Sequence, residues 1–528
     1  MAHLERPEAL TLSQALDRRA NTDADRVFLF DQGDRVTFGN VAATSRALAA
    51  ALANLGVGAG DRVAIILPGC AEFVHGLFAL SRLGAVAVPL DPRLTAPELR
   101  YLLRHSEAVA AITVERFAGV DFLELFEGLL PHLPELQYLV TVGEEDLWYD
   151  DRIFQFEDIV SSGSGRPIPA VEVDPGEAVA ALLYTSGASG KPKAVELTHG
   201  ALLGVAAATV ASIGLDAEDR VIGITALFHV FALGPGILGC VVAGSSLILQ
   251  PEFEAEAALD LVEALGATVH YGVPTVFAAE LRVQRQAPRD LGTLRLGLVA
   301  GAPMLEELFT SVEAELCPGL LTAYSLTETS SVLAVTRPQD PEEKRRFTVG
   351  RPLPGTRIRV LEADGSDLPE ESLGEIAVKG PGVMRGYYRQ PGETARVLSS
   401  DGFLLTGDLG IVDEDGYVHL VGRRRDVILR SGSNVHPGEI EDRLQQHPAV
   451  EDVAVVGIRD ELLGEAVSAA VVQVEGAIVT EEELREWCGE TLADYKVPDF
   501  VRFLEALPTT GAGKIRRVDL TRLLEADS

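Results

Sequence analysis

Lysine is scarce in this chain. Its 528 residues include six, at positions 191, 193, 344, 379, 496 and 514, and all other basic charge is arginine. Basic residues as a whole are outnumbered, 45 against 79 acidic ones, for a net charge of −34. A deficit of that size excludes nucleic acid and anionic membrane as principal partners, because both demand extended basic surface. A nucleotide is not excluded, since it needs only a local basic pocket. Cysteine is equally sparse. Cys70, Cys240, Cys317 and Cys488 lie far apart, and no pair has the spacing of a metal site or a redox motif. Buried, reduced thiols in a reducing, cytoplasmic compartment are expected. From Val221 to Gln250 there is no Lys, Arg, Asp or Glu. That stretch holds His229, Pro235, several glycines and two serines, and no basic cluster flanks it, so a buried helix, turn and strand are expected rather than a membrane span. The N-terminus, Met1 to Pro7, lacks a basic segment followed by an apolar one, and no signal peptide is expected. No internal repeat or low-complexity tract is evident, and nothing in the sequence specifies an oligomeric state.

What is present describes a globular protein. Hydrophobic residues make up 47% of the chain, and 528 residues are too many for one compact core, so two or more domains are expected. Residues 10–60 read as a helix, a short hairpin and a second helix. Then Arg62 to Leu67 reads as an apolar strand, Ala71 to Leu83 as a helix and Gly84 to Pro89 as another strand. The same rhythm returns at Leu94–His105 into Ala108–Thr113, and at Leu259–Leu265 into Thr268–Tyr271. Strand, helix, strand implies right-handed parallel crossovers and doubly wound α/β sheets. Residues 143–177, acidic and rich in Ser, Gly and Pro, read as an irregular surface connection. After residue 350, strands alternate with glycine turns and suggest a small antiparallel, barrel-like β unit. Beyond Asp426 the pattern becomes α+β. The expected organisation is therefore α/β: a large N-terminal domain over 1–424 and a smaller C-terminal domain over 425–528.

The chain is organised around Tyr184-Thr185-Ser186-Gly187-Ala188-Ser189-Gly190-Lys191-Pro192-Lys193. Apolar strands flank it, and Thr198 stands as an N-cap ahead of the Ala- and Leu-rich run that follows. Hydroxyls and backbone N–H groups can wrap phosphate oxygens, and glycine lets the backbone come close. Two of the six lysines fall here, where a compact point charge suits phosphate. The spacing differs from a Walker A loop, which needs Gly-Lys-Ser/Thr running into a helix. A flexible Gly/Ser surface hairpin is the alternative.

This run resembles Tyr-Thr-Ser-Gly-x-x-Gly-x-Pro-Lys-Gly, the phosphate loop of the adenylate-forming superfamily, with Ala194 in place of the final Gly. Further blocks follow in that superfamily's order, so the resemblance covers nearly the whole chain. It implies phosphate contacts from Thr185, Ser186, Gly187, Ser189, Gly190 and Lys193. Phe228-His229-Val230-Phe231 is either a core histidine or a border of the acyl pocket. Amino-acid-activating relatives usually hold Asp here, so His229 argues for a plain carboxylic acid. Leu298 to Pro303 reads as a strand and turn, and the resemblance sets Gly301 and Ala302 beside adenine and the acyl tunnel. Ala323-Tyr324-Ser325-Leu326-Thr327-Glu328 is similar to Tyr-Gly-x-Thr-Glu. By that likeness Tyr324 packs on adenine, Thr327 bonds the α-phosphate and Glu328 holds Mg²⁺, a cation that favours hard oxygen ligands beside phosphates. Ser325 replaces the common Gly. The block from Gly374 to Tyr388 is read as structural.

Thr406-Gly407-Asp408 and Gly422-Arg423-Arg424-Arg425-Asp426 could be an ordinary turn and a solvated basic turn. The resemblance assigns Asp408 to the ribose hydroxyls, Arg423 to ribose or phosphate, and Arg425 to a hinge. Arg430 to Glu441 is similar to the block lining the thiol channel, with Ser431 where some relatives have Lys. Lys514, in Pro508-Thr509-Thr510-Gly511-Ala512-Gly513-Lys514, matches the lysine that bridges the acid's carboxylate and the α-phosphate. Together these imply an ATP- and Mg²⁺-dependent acid–thiol ligase. It forms acyl-AMP from a fatty or aryl acid, then transfers the acyl group to coenzyme A. Loading of an acyl carrier protein is the alternative. No insertion of the kind acyl-AMP ligases carry is seen around Pro338–Phe347, which favours coenzyme A. A non-catalytic nucleotide-binding module is the reading from another class, and Glu328 and Lys514 speak against it.

Overall fold

The computed structural model describes residues 4–144, 151–185, 192–223, 226–423, 426–430, 433–460, 463–492, 494–509 and 515–526. The chain divides into two compact units: Met1–Arg357 with Lys379–Leu404, and Ile358–Val378 with Leu405–Ser528.

The first unit is built on two large sheets. In one, the parallel strands Val27–Asp31, Ser246–Ile248, Arg220–Ile222, Val269–Gly272, Leu296–Val299 and Leu320–Leu326 lie side by side. Antiparallel strands close its edges, Asp34–Thr37 on one side and Ser331–Val335 with Arg351–Pro352 on the other. The second sheet runs Gly386–Tyr387, Lys193–Thr198, Val179–Thr185, Val86–Pro89, Arg62–Ile66, Ala108–Val114, Tyr138–Val142 and Ile153–Gln155. The sequence rhythm anticipates these crossovers. Central strands such as Arg62–Ile66 are apolar almost throughout because both faces are buried.

Residues 151–177 are more regular than expected. They contain the strand Ile153–Gln155 and the helix Phe156–Gly163, whose Phe156 and Ile159 are buried. A Cβ at Gly163 would lie 2.0 Å from the Ala47 carbonyl oxygen, so glycine is what lets this short helix pack on Phe38–Asn54. The charge-free stretch also departs from a plain helix. Ala232–Leu238 forms a π-helix around Gly234-Pro235-Gly236, then continues as the helix Gly239–Ala243. A wide turn of this kind often marks a functional region. Here it brings Gly234 close enough to Ser331 that a Cβ would sit 3.2 Å from the serine Cβ. No helix among the described residues is long and apolar enough to cross a membrane.

The second unit contains most of the four-stranded sheet Arg357–Leu361, Gly374–Lys379, Leu404–Val412 and Val418–Arg423, the small β unit that the sequence reading includes in the domain over 1–424. It also holds the α+β part. There the long hairpin Val450–Asp460 and Gly464–Gln473 packs against the helices Pro437–Gln445, Glu481–Gly489 and Arg517–Ala526 around its own apolar cores.

All four cysteines are free and buried. Burial pushes the Cys240 and Cys317 thiols up to about 12 and Cys488 to about 11. None is poised as a thiolate nucleophile.

Two buried histidines make stability pH-dependent. Burial lowers the pKa of His75 and of His199 to about 4 from an ordinary 6.5. The unfolded chain therefore binds more protons than the folded one between those values. Stability falls as pH drops through that window, and the slope ends once both states are protonated. Replacing His75, which lies among apolar groups beside Phe156, by leucine is expected to flatten the slope by up to about 1.4 kcal/mol per pH unit. Urea unfolding of both proteins at a series of pH values measures the difference.

Candidate active site

The phosphate hairpin begins as two antiparallel strands, whose last register pair is Thr185 with Lys193. Ser186, Gly187, Ser189, Gly190 and Lys191 lie outside the described residues, as does Lys514. The hairpin's base is tied to the helix Ala96–Ser106. Tyr184 donates its hydroxyl proton to the Leu102 carbonyl at 3.1 Å, and His105 Nδ1 is 2.9 Å from the same hydroxyl oxygen. With the tyrosine proton committed to a carbonyl, Nδ1–H of His105 is the donor of the second bond. The ring of Tyr388 stands edge-on to His105 at 6.0 Å.

Lys193, expected to contact phosphate, lies within the described residues and is well engaged. Its Nζ is 2.6 Å from Glu393 Oε2 and 4.8 Å from the centroid of the Tyr387 ring. The ammonium in turn holds the Glu393 carboxyl below the usual range. The Tyr387 hydroxyl donates to Glu328 Oε1 at 2.9 Å. Lys193 on one sheet and Glu328 on the other thus meet on a single tyrosine.

Glu328 and Thr327 lie half-buried in a single turn, Thr327–Thr329, that leaves the strand Leu320–Leu326. The next two residues, Ser330 and Ser331, have φ of 56° and 105°. Left-handed backbone at two successive non-glycine residues is costly and survives only where the surroundings over-determine it. They do so here. Ser330 Oγ donates to the Gly382 carbonyl and Thr329 Oγ1 donates to the Ser331 carbonyl, both at 2.8 Å. The Met384 N–H donates to the Glu328 carbonyl, also at 2.8 Å. A Cβ on Gly382 would come within 2.7 Å of the Thr329 carbonyl oxygen. The segment from Gly382 to Tyr387 is a bridge: its end pairs with the hairpin strand, Val195 opposite Tyr387, while its start clasps the Glu328 turn.

The remaining first-unit candidates follow the carboxyl ends of neighbouring strands. Gly301 (φ 89°) and Ala302, both exposed, come after Leu296–Val299. Tyr324, buried, is near the end of the adjacent parallel strand. His229 follows Arg220–Ile222; it is exposed, 4.7 Å from the Phe228 ring, and is not a core histidine. The carboxyl ends of parallel strands are where open α/β sheets bind ligands.

In the second unit Asp408 and Arg423 are register partners, Oδ1 to Nε 3.1 Å, with Asp408 buried and Arg423 exposed. Thr509 and Ile515 are paired by a β-bridge. Arg517, just beyond, binds both oxygens of Glu441 at 2.7 and 2.9 Å. The chain on either side of Lys514 is therefore anchored.

Tyr387, Glu393 and His105 were not singled out from sequence. The signal for Tyr387 was the block Gly374–Tyr388, which reads as structural until Glu328 is found beside it. Among the described residues no three His, Cys, Asp or Glu side chains are grouped to hold a metal ion. A lone carboxylate such as Glu328 suits Mg²⁺, which keeps waters and takes its remaining ligands from phosphates.

A doubly wound pair of sheets, with Lys193 at the base of a hairpin and Glu328 in a Thr-Glu turn gathered on Tyr387, is an arrangement suited to a nucleotide's phosphates. The chain belongs to the AMP-binding enzyme family: it matches that family's model over residues 16–388, and the AMP-binding enzyme C-terminal domain over 439–514. Within the adenylate-forming superfamily it stands with the AMP-forming acyl-CoA synthetases. Feruloyl-CoA synthase of Amycolatopsis sp is 35% identical over 506 residues, covering 96% of this chain and 97% of that protein. The salicyl-AMP ligase / salicyl-S-ArCP synthetase of Mycobacterium tuberculosis is 33% identical, covering 97% and 91%. Among solved structures, the anthranilate CoA ligase AuaEII in complex with anthranoyl-AMP superposes with a TM-score of 0.89 at 27% identity, covering 99% of this chain and 100% of that one.

Proposed function

We propose that the chain joins an apolar-bodied carboxylic acid, aryl or aliphatic, to coenzyme A in a reducing cytoplasm. The acid's carboxylate attacks the α-phosphorus of ATP, pyrophosphate leaves, and the thiol then displaces AMP from acyl-AMP. Two anions must meet in the first step, so charge neutralisation and positioning dominate the barrier. Lys193 and the hairpin N–H groups hold the leaving pyrophosphate. Thr327 donates to the α-phosphate, and Lys514 neutralises the carboxylate and α-phosphate as they approach. Mg²⁺, held by Glu328, would supply positive charge to the phosphate oxygens. Tyr324, Gly301 and Ala302 take the adenine end, Asp408 and Arg423 the ribose, and His229 borders the acid. The chain beyond Arg425 acts as a lid that turns between the two half-reactions.

The observation that carries this reading is the Lys193–Tyr387–Glu328 cluster. It joins a phosphate cation and a metal carboxylate across two sheets, at distances of 4.8 and 2.9 Å. Aryl acids are favoured by the feruloyl- and salicyl-activating relatives, and a carrier-protein thiol is the competing acceptor by the second of these. The test is a panel of aryl and fatty acids incubated with ATP, Mg²⁺ and coenzyme A, or with a carrier protein in its place, scored for AMP and thioester. Acid-dependent AMP release with acyl-CoA formation is expected. AMP release that yields a thioester only on the carrier protein would reassign the acceptor.

A further inference from the structure

We infer that Tyr387 is a positioning residue that holds the metal-binding carboxylate of Glu328 and the phosphate-binding ammonium of Lys193 apart, each aimed at its own target. The inference rests on the roles proposed above for those two residues.

An ammonium and a carboxylate held on one tyrosine have an obvious alternative: they can pair with each other. A direct Lys193–Glu328 ion pair would neutralise both groups and remove them from the nucleotide. The structure instead interposes a tyrosine. Its ring face takes the ammonium at 4.8 Å, a distance at which a cation is attracted to the π system. Its hydroxyl, at the far end of the same ring, takes the carboxylate at 2.9 Å. A phenol keeps its proton at neutral pH, so the hydroxyl remains a donor to the carboxylate. Glu393, 2.6 Å from Lys193, gives the ammonium a carboxylate partner other than Glu328.

The ring's own placement is fixed by backbone. Tyr387 is 7% exposed, pairs with Val195, and its N–H donates to Thr394 Oγ1 at 2.9 Å. Thr394 follows Glu393, so the short helix Pro391–Val397 positions the lysine's counter-ion and the tyrosine together. The ring and the hydroxyl serve different charges, so they can be separated by mutation.

The experiment is calorimetric titration of ATP, without acid substrate, into wild type, Tyr387→Phe and Tyr387→Leu, with EDTA and over a range of MgCl₂. Phenylalanine keeps the ring under Lys193 and removes only the bond to Glu328. A hydrogen bond to a charged group is strong enough that its loss should raise the Mg²⁺ concentration at half-effect about tenfold. ATP affinity in EDTA should stay within about twofold of wild type. Leucine also removes the ring, allows Lys193 and Glu328 to pair, and should weaken ATP binding about tenfold even in EDTA. A wild-type Mg²⁺ midpoint in Tyr387→Phe overturns the inference while leaving the proposed function standing. Failure of the wild type itself to bind ATP overturns both.

Discussion

Lys514→Ala lowers acid-dependent acyl-AMP formation by about 10²-fold or more, while thiolysis of supplied acyl-AMP proceeds nearly as in wild type. The asymmetry follows from charge. In the first half-reaction a carboxylate approaches a triphosphate, and each is repelled by the other until a cation lies between them. Once acyl-AMP exists, the carboxylate charge is gone and the attacking group is a thiol, so the same ammonium has little left to stabilise. A β-bridge between Thr509 and Ile515 brackets position 514 in the chain, and Arg517 is bound to Glu441 beyond it. Alanine at 514 leaves those anchors in place, so loss of activity should come without loss of folding. Separate assays of the two half-reactions measure it; equal losses in both count against the assigned role.

Glu328→Gln gives the second large effect, a fall of about 10²-fold in adenylation with a flattened response to Mg²⁺. Glutamine is nearly isosteric and can still accept from the Tyr387 hydroxyl, so the change isolates the charge. Pyrophosphate and its metal take no part in the second half-reaction, and thiolysis should again be spared. A steep Mg²⁺ response retained in Glu328→Gln would remove the carboxylate from the metal site. The pair of variants tests two proposed electrostatic jobs: Lys514 where the bond forms, Glu328 where the leaving group departs.

Much of this architecture is local and therefore legible in the sequence. Apolar runs such as Val63 to Leu67, followed by helical spacing and glycine turns, specify strand and helix through periodicity alone. The phosphate hairpin announces itself by its hydroxyls, glycines and lysines between two short strands, and Thr198 does cap the helix His199–Ile213 through a bond to the Ala201 N–H at 3.2 Å. The helix Phe156–Gly163 was hidden because it is short and half polar, and because its packing depends on a glycine meeting a helix more than a hundred residues earlier. The π-turn at Ala232–Leu238 is invisible to a periodicity of 3.6.

The site was legible as a set of residue types and not as a cluster. Glu328 and Tyr387 are 59 positions apart, and Lys193 and Glu393 are 200 apart. Tyr387 sits in a glycine-rich block whose local reading is a structural turn. Only the pairing of Val195 with Tyr387 shows that the block returns to the edge of the hairpin. Asp408 and Arg423 illustrate the same point: the sequence offers one as a ribose contact and the other as a ribose or phosphate contact, and the register between their strands makes them a pair.

The measurement that bears most directly on the central claim is isotope exchange between pyrophosphate and ATP, run with Mg²⁺ and each acid of the panel but no thiol. Exchange that requires an acid, and disappears in Lys514→Ala, is the predicted result. Tight ATP binding with no exchange under any acid would contradict the account and mark the chain as a nucleotide-binding module without adenylating activity.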